Sequence, residues 1–330
     1  MDHDLVIDKH LNIYVIFGSI HPPGRVYGYL KYVPSRESSS IWYYRNIPLE
    51  RIIQRYSVNE VVKTFGEHEI LLEYEPAYGV LMPYIDLSNA LEYFYPEDRL
   101  IEIYYRPRDD LELKIAELID SIRDHVNIGL REIGVTGSVL GEFYNTKYSD
   151  IDLIIYGCRN ASKVYEAAEN FLKPLTGHEL KRYIEGQAEL HKLNIEEARD
   201  LYRIYRRGLY KDKQVTFVFP RDPCTYPCRI FSKEFQCVTA KIYVEKHQCS
   251  ALQYPGEAYI EKVLWSDRGY ADIKMIISYE GIFSPIIYEG ETLLVKGSMR
   301  RVYDLSRDEN YYAIIVGARE CPYMVRRAII

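Results

Sequence analysis

Residues 137–156 read GSVLGEFYNTKYSDIDLIIY, and they carry the strongest structural signal in the chain. The second half alternates like a half-buried β-strand, so Asp150 and Asp152 point to one face while Ile151 and Leu153 point to the other. Two carboxylates about 7 Å apart on one face repel each other unless a divalent cation lies between them. Because Mg²⁺ prefers such oxygen ligands, we predict that Asp150 and Asp152 bind Mg²⁺, with Mn²⁺ as a substitute.

The first half of this segment contains a turn of small residues. An apolar strand pattern at residues 133–136 ends at Gly137 and Ser138, whose backbone N–H groups and hydroxyl suit phosphate oxygens. A strand, a Gly-Ser turn and then Ser-Asp-x-Asp in a second apolar strand suit phosphoryl or nucleotidyl transfer. The alternative is that the two acids only cap a strand edge at the surface.

Helices are predicted on both sides of this segment. From Asp110 onward, apolar residues at helical spacing indicate an amphipathic helix, with two aspartates at its N-terminal end. A second helix is predicted over residues 161–172, and helical hairpin material extends to Gly208. Residues 215–219 then read as a third strand, which Pro220 ends.

The first hundred residues indicate a mixed α/β unit. Strand patterns at residues 13–17 and 26–33 flank a turn at residues 21–24, HPPG. Within it, His21 either contacts a ligand or holds the turn in shape. Pro48 is predicted to start a helix, because apolar residues follow it at helical spacing.

From about Pro223 the apolar pattern has mostly period two and is interrupted by frequent turns. Short strands at such spacing predict a small β-barrel or sandwich. The predicted fold class is therefore α+β, in three domains. Residues 1–107 form an N-terminal mixed α/β domain, residues 108–222 a central domain of mixed sheet and helices, and residues 223–330 a β-rich C-terminal domain.

The motif of Gly137-Ser138 followed by Asp150-Ile151-Asp152 resembles the signature of the polymerase β-type nucleotidyltransferase superfamily, over about residues 111–220. This resemblance implies that residues 108–222 form a nucleotidyltransferase domain with a mixed sheet flanked by helices. It also implies that Gly137 and Ser138 hold the triphosphate of an NTP, and that the two acids hold Mg²⁺.

A wider resemblance covers most of the chain. Together with the motif above, residues 17–26 (FGSIHPPGRV) and 30–34 (LKYVP) are similar to an archaeal family of predicted nucleotidyltransferases. Those proteins carry an extra N-terminal domain with a His-Pro-Pro element and a β-rich tail. The resemblance implies the same three-part organisation here.

Two positions depart from the superfamily's pattern. A later strand usually supplies a third carboxylate, but neither face of the strand at residues 215–219 offers an acid. Asp212 and Asp222 flank that strand, and Asp212 is preferred, with catalysis by two acids or no catalysis as alternatives. Many members also have an arginine soon after Gly-Ser, where this chain has apolar residues. Lys147, or a basic residue from elsewhere, is therefore predicted to bind the triphosphate.

The charge balance limits the possible partners. The chain has 42 Lys and Arg against 48 Asp and Glu, a net charge of −6, so contact with nucleic acid requires a local basic patch. Residues 198–213 interleave arginines with tyrosines, which predicts either a cationic helical wall for triphosphate or RNA, or a helical face paired with neighbouring acids. No apolar run approaches the roughly 20 residues of a membrane span, and the acidic start is unlike a signal peptide. We expect a cytoplasmic protein with no membrane partner.

The six cysteines show no spacing typical of secreted disulfide proteins. Four of them, with His247, could form a zinc site, although their spacing is not that of a familiar zinc motif. The four are Cys224, Cys228, Cys237 and Cys249. Buried thiols, or disulfides of a heat-adapted protein, are the alternatives.

These observations predict a Mg²⁺-dependent nucleotidyltransferase that moves a nucleoside monophosphate from an NTP to a hydroxyl acceptor, either RNA or protein. The competing hypothesis is an inactive protein that keeps the fold and binds nucleotide or RNA, because the third acid is missing. A third hypothesis is a transferase that modifies polypeptides or neutralises a toxin.

Overall fold

The computed structural model describes residues 1–36, 40–68, 70–269 and 272–328. Within these ranges the chain forms three β-sheets and eight α-helices, so the predicted α+β class is confirmed. None of the helices in these ranges is long and apolar enough to cross a membrane.

The N-terminal part forms an eight-stranded sheet and two helices. The strands are β1 (Leu5–Asp8), β2 (Ile13–Ile16), β3 (Arg25–Pro34), β4 (Tyr43–Tyr44), β5 (Ile47–Arg51), β6 (Leu72–Glu75), β7 (Val80–Asp86) and β8 (Ala90–Phe94). Along the chain, helix α1 (Val58–Glu67) follows β5 and helix α2 (Pro96–Tyr105) follows β8. Hydrogen-bonded neighbours run in the order β4-β5-β3-β2-β1-β8, with β7 paired to β3 and β6 paired to β7.

The predicted turn at residues 21–24 joins β2 to β3. The Tyr27 N–H donates to His21 Nδ1 over 3.2 Å, and burial lowers the pKa of His21 to about 4. A neutral ring that accepts a backbone hydrogen bond has a structural role. The geometry therefore favours the interpretation that His21 holds the turn in shape.

The prediction that a helix starts at Pro48 is wrong. Pro48 lies within β5, and α1 begins only at Val58. Pro48 has no N–H group to donate to a neighbouring strand. The hydrogen bonds at this point are made by other groups: the Leu49 N–H donates to the Trp42 carbonyl, and the Pro48 carbonyl accepts from the Ser35 N–H. Pairing with β3 and β4 thus overrides the helical spacing of the apolar residues that follow.

The middle of the chain forms a five-stranded mixed sheet with helices. The strands are β9 (Ile133–Val135), β10 (Ile151–Ile155), β11 (Lys173–Pro174), β12 (Gly208–Tyr210) and β13 (Lys213–Val218). The helices are α3 (Asp110–His125), α4 (Gly137–Leu140), α5 (Cys158–Phe171), α6 (Gly177–His191) and α7 (Ile195–Asp200). The strand order is β11-β12-β13-β10-β9, with β10 parallel to β13 and antiparallel to β9. The three predicted strands are present, and so are the helix predicted from Asp110 and the one predicted over residues 161–172. The helical material predicted to reach Gly208 ends at Asp200.

The C-terminal part is rich in strands. These are β14 (Arg229–Phe231), β15 (Gln236–Val244), β16 (Gly256–Ser266), β17 (Ile273–Ser278), β18 (Glu291–Asp304), β19 (Glu309–Val316) and β20 (Met324–Arg327), with helix α8 (Ser284–Glu289) before β18. The pairings run β18-β15-β16-β17-β19, and β19 pairs back to β18. Five strands therefore form a closed ring, which corresponds to the barrel alternative of the prediction.

The three sheets share apolar cores. Leu100 and Ile103 of α2 pack in the same cluster as Leu111 and Ile115 of α3, and this cluster continues into the C-terminal strands. A second cluster combines residues of the N-terminal sheet with residues of the C-terminal strands. The predicted boundary between residues 107 and 108 thus separates two helices that share one core, and the three-domain division stays a prediction.

Candidate functional site

The central sheet brings the two predicted acids to one cavity. Asp150 directly precedes β10, Asp152 lies within it, and both line a cavity of about 960 Å³. Ile151 and Leu153 are fully buried on the opposite face, as the alternation predicts. Burial raises the pKa of Asp150, the attraction of Arg207 opposes this rise, and repulsion from Asp152 adds to it. The two carboxylates therefore act on each other within one site.

Gly137 brings the backbone against Asp152. Its φ of 68° lies in the left-handed region, which glycine adopts without steric cost. A Cβ atom at this position would lie 2.7 Å from Asp152 Oδ2, closer than a side chain permits. Gly137 and Ser138 line the same cavity as the two acids. The structure thus brings together four of the five predicted site residues.

The loop from Ser138 to Asp150 is held by hydrogen bonds. The Ser138 hydroxyl lies 3.2 Å from the hydroxyl of Ser149 and donates to it. The ammonium group of Lys213, on β13, donates to two carbonyls of the loop, at residues 146 and 147, over 2.5 and 3.1 Å. Because Lys213 is buried, this anchor fixes the loop that carries Asp150 to the edge of the third strand.

A threonine lies opposite Asp152 on the neighbouring strand. In the parallel pairing of β10 and β13, the register partner of Asp152 is Thr216. Thr216 Oγ1 accepts a hydrogen bond from Arg207 Nη1 over 3.3 Å, and the same nitrogen lies 3.1 Å from Asp150 Oδ2. Arg207 therefore connects the third strand to the first acid.

The two candidates for a third acid lie away from this cavity. The Asp212 side chain is 65% exposed and forms an ion pair with Lys114 at 2.7 Å. Asp222 is also exposed, and neither residue lines the cavity. Over residues 1–36, 40–68, 70–269 and 272–328, no group of three or more His, Cys, Asp and Glu side chains is arranged to hold a metal ion.

Two carboxylates are sufficient for a magnesium ion that is shared with a phosphate substrate. Mg²⁺ in such sites is bound through one or two carboxylates, with phosphate oxygens and water as the remaining ligands. Asp150 and Asp152 supply oxygen ligands of this kind, and Thr216 adds a hydroxyl at the level of Asp152. These residues fit Mg²⁺ bound together with an anionic ligand.

The positive charges that act on Asp150 and Asp152 come from the N-terminal sheet and from Arg207. Further arginines line the same cavity, at positions 55, 206, 300 and 319. Lys147, which was predicted to bind triphosphate, is exposed and does not line the cavity. Lys31 of β3 and Arg51 of β5 do line it. Within the described part of the chain, Lys31 Nζ forms no hydrogen bond or ion pair and lies 5.1 Å from the centre of the Tyr56 ring. Within the same part, Arg51 bonds to backbone carbonyls and a tyrosine hydroxyl, and to no carboxylate.

Both N-terminal cations are coupled electrostatically to the acids. Burial opposes the charge of Lys31 and of Arg51, but the fields of Tyr56, Tyr32 and Asp152 outweigh it and raise the pKa of each. The part of the cavity around Asp150 and Asp152 therefore contains two cations, Lys31 and Arg51, that no carboxylate of the described ranges neutralises directly. Glu280 and Glu320 also line the cavity.

The sequence contained a signal for Lys31 outside the motif at residues 137–156. Lys31 is a charged residue inside an otherwise apolar strand, VYGYLKYV (residues 26–33), and is only 8% exposed. A lysine is rarely buried without a partner or a ligand. Arg207 lies in the basic segment at residues 198–213, but sequence spacing alone did not distinguish it from its neighbours.

The basic residues at 198–213 do not lie on one face of a helix. The predicted cationic helical wall and the predicted helical face paired with acids are therefore both wrong. Helix α7 ends at Asp200. Arg203 then pairs with Glu289 at 2.5 Å, and Arg206 donates to the Gly281 carbonyl over 2.6 Å. Arg206 and Arg207 both line the cavity, whereas the other basic residues of the segment do not.

All six cysteines form disulfides. The pairs are Cys158–Cys249, Cys224–Cys228 and Cys237–Cys321. The zinc alternative is therefore wrong, because the thiolates that it requires are bonded to one another. Two of the three disulfides join cysteines 91 and 84 residues apart, which no local spacing pattern reveals.

One relative matches over most of the chain. The uncharacterized protein MJ1086 of Methanocaldococcus jannaschii is 25% identical over 315 residues, which cover 90% of this chain and 89% of the relative. No family model matches the chain, and no solved structure matches it. The similarity to this archaeal protein thus extends well beyond the segment at residues 137–156.

Proposed function

We propose that this protein is a Mg²⁺-dependent nucleotidyltransferase that moves a nucleoside monophosphate from an NTP to a hydroxyl acceptor on RNA or protein. One observation carries the proposal: Asp150 and Asp152 share a single cavity with Ser138, Lys31 and Arg51. A nucleoside triphosphate with Mg²⁺ is a ligand that needs carboxylates for its cation and positive charge for its phosphates.

The phosphate groups have donors on two sheets. Ser138 and the Gly137 N–H are suited to phosphate oxygens on the side of the central sheet. On the side of the N-terminal sheet, Lys31 and Arg51 supply the charge that an arginine after the Gly-Ser turn supplies in the superfamily. A triphosphate bound in this cavity would therefore contact both sheets.

The chemistry assigns a separate task to each group. A bound Mg²⁺ ion would neutralise phosphate charge and polarise the acceptor hydroxyl. Asp150 and Asp152 would hold that ion, while Arg207 supports Asp150 and links it to Thr216. The acceptor oxygen bonds to the α-phosphorus, the bond from this phosphorus to the oxygen bridging it to the β-phosphorus breaks, pyrophosphate leaves, and the hydroxyl proton passes to water.

The test is transfer of label from α-³²P NTPs to total RNA or to protein, with Mg²⁺ or Mn²⁺. We expect wild-type protein to transfer label and release pyrophosphate. Asp150→Asn and Asp152→Asn should each lower the rate at least 100-fold, because each removes one metal ligand while keeping the side-chain shape.

Asp212→Asn is the matched control, since Asp212 is an exposed acid in the turn between β12 and β13 and does not line the cavity. We expect this variant to retain the wild-type rate. Equal activity of all three variants would contradict the proposal, and loss of activity in Asp212→Asn alone would make Asp212 the essential acid.

A binding protein without turnover is the second candidate. The specific observation in its favour is that Thr216, and not an acid, lies opposite Asp152, while Arg207 pairs with Asp150. This candidate predicts tight NTP binding that weakens in Asp150→Asn, with no pyrophosphate release for any acceptor.

A further inference from the structure

The cavity extends well beyond the two acids. It follows the chain from Thr216 of β13 to Phe219, which directly follows that strand, a distance of about 10 Å. There the C-terminal part of the chain joins it, since the Tyr254 N–H donates to the Phe219 carbonyl over 2.9 Å. A volume of about 960 Å³ lies near the upper end of the roughly 300–1,000 Å³ of small-molecule sites, so it exceeds what phosphates alone would fill.

One face of α6 lines this second region. Tyr183, Gln187, Leu190 and His191 follow each other at helical spacing, and all four line the cavity. The His191 side chain is only 3% exposed, and its Nδ1 has no hydrogen-bond partner among the described residues. A buried ring nitrogen loses its hydrogen bonds to water, and this costs free energy unless a protein group or a ligand supplies a new hydrogen bond.

Glu280 provides a second buried polar group beside His191. Its side chain is 2% exposed, and its Oε2 lies 3.6 Å from His191 Nδ1, too far for a hydrogen bond. Its other oxygen accepts from the Val58 N–H over 3.0 Å and from the Tyr323 hydroxyl over 2.7 Å. Within the described ranges Oε2 accepts no hydrogen bond, so one carboxylate oxygen stays free at the cavity wall.

Aromatic rings surround these polar groups. Tyr205 stacks on Phe219 with ring centres 5.2 Å apart, and Tyr254 packs edge-on against Tyr279 at 6.5 Å. All four rings line the cavity. Flat apolar walls with a few free donors and acceptors suit a planar heteroaromatic ring that carries N–H groups and ring nitrogens.

We propose that this second region, lined by Gln187, His191 and Glu280, is a nucleobase pocket that holds the base of the bound nucleotide. The inference rests on the proposed function for the position of the phosphates, and it adds the group that distinguishes a nucleotide from a simple polyphosphate. Glu280 Oε2 accepts an N–H of the base, while the Gln187 amide and the His191 ring bond to its other edge atoms.

The neutral state of His191 suits this role. Burial and the nearby positive charge of Arg206 lower the pKa of His191 to about 4. A neutral imidazole offers one donor and one acceptor, the combination that a base edge presents in return.

The test compares two probes, inorganic tripolyphosphate and NTPs, each titrated with Mg²⁺ by calorimetry. We expect NTPs to bind at least 10-fold more tightly than tripolyphosphate. Gln187→Leu should remove most of this advantage and leave tripolyphosphate affinity unchanged, and Glu280→Gln should behave in the same way. Glu185→Leu is the matched control on the exposed side of α6, and it should bind both probes like the wild type.

A competition experiment needs no variant. Free nucleosides should displace a labelled NTP but should not displace tripolyphosphate. Equal affinity of the wild type for NTPs and tripolyphosphate, or equal loss of both in Gln187→Leu, would overturn the nucleobase pocket and leave the phosphate site standing. Nucleoside binding that Gln187→Leu abolishes, with no tripolyphosphate binding, would support the pocket and overturn the proposed function. If neither probe binds, both proposals fail.

Discussion

Gly137 shows how one residue links backbone conformation to the candidate chemistry. Its positive φ and the 2.7 Å between a Cβ atom and Asp152 Oδ2 are independent constraints, and both disfavour a side chain at this position. The position of Asp152 therefore favours glycine at the start of α4, whatever the cavity binds.

We expect Gly137→Ala to lower the free energy of unfolding by about 1–2 kcal/mol, because an L residue is strained at this φ. Nucleotide transfer should fall much further than this stability loss explains, since the new methyl group displaces the Asp152 carboxylate. Chemical denaturation and the label-transfer assay measure the two effects.

Gly186→Ala provides the control for this substitution. Gly186 lies inside α6, and a Cβ atom there meets nothing within 4 Å outside the helix's own backbone. Alanine should raise the free energy of unfolding by roughly 0.5–1 kcal/mol. Unchanged transfer activity in Gly137→Ala would show that Asp152 does not need its present position.

At the scale of elements, a buried ion pair joins α2 to α3 across the predicted domain boundary. Glu112, on α3, is fully buried and bonds to Arg99 of α2. It also accepts from the Arg108 guanidinium over 2.7 Å and from the Tyr144 hydroxyl over 2.8 Å. Burial acts to raise the pKa of Glu112, but these hydrogen bonds outweigh it and lower the pKa to about 2.

Replacing Glu112 should therefore be costly. We expect Glu112→Gln to lower the free energy of unfolding by about 3 kcal/mol, because the buried Arg99 would lose its fully buried counter-charge and keep only the more exposed Glu102, at 3.0 Å, and Glu142, at 3.4 Å. Glu117→Gln is the control on the same helix: it removes a more exposed pair with Lys211 and should cost no more than about 1 kcal/mol.

The stability that the buried Glu112 contributes depends on pH in a defined way. Folding lowers the pKa of Glu112 from 4.5 to about 2, so the unfolded chain binds this proton more readily than the folded chain. The contribution of Glu112 is complete above about pH 4.5 and is lost as the pH falls toward 2. Denaturation curves in this range should show a steeper loss for the wild type than for Glu112→Gln, and parallel curves would contradict the assignment.

For the whole molecule, the disulfides connect parts of the chain that are distant in sequence. Cys158 begins α5 in the central region, and Cys249 precedes β16 in the C-terminal region. Together with the shared apolar clusters, this bond ties the candidate site's sheet to the part that supplies Glu280 and Tyr254. Cross-links between distant residues restrict the unfolded chain most.

We therefore expect the double variant Cys158→Ser/Cys249→Ser to lose about 4–5 kcal/mol of unfolding free energy under oxidising conditions, given its separation of 91 residues. The double variant Cys224→Ser/Cys228→Ser removes a disulfide between cysteines only 4 residues apart, and it should lose about 2 kcal/mol of unfolding free energy. Titration of the denatured, unreduced protein with a thiol reagent should find no free thiol. Six free thiols would refute the pairing.

The parts of the structure that sequence reasoning predicted correctly depend on neighbours along the chain. The strands at β9, β10 and β13 follow from short apolar alternations, and α3 follows from its stripe with Asp109 as the N-cap. The prediction failed at Pro48, where strand partners from elsewhere decided the conformation. It failed again after Asp200, where contacts with Glu289 and Gly281 replace a continued helix.

By itself, the sequence predicted that Asp150 and Asp152 lie on the side of β10 opposite Ile151 and Leu153, near Gly137 and Ser138, because side-chain alternation needs no distant partner. Only the tertiary structure decided that Thr216 lies opposite Asp152, and that Lys31 and Arg51 enter the same cavity. Those residues meet through sheet pairing and through packing between sheets. Contacts between positions a hundred residues apart leave no periodic trace in the chain.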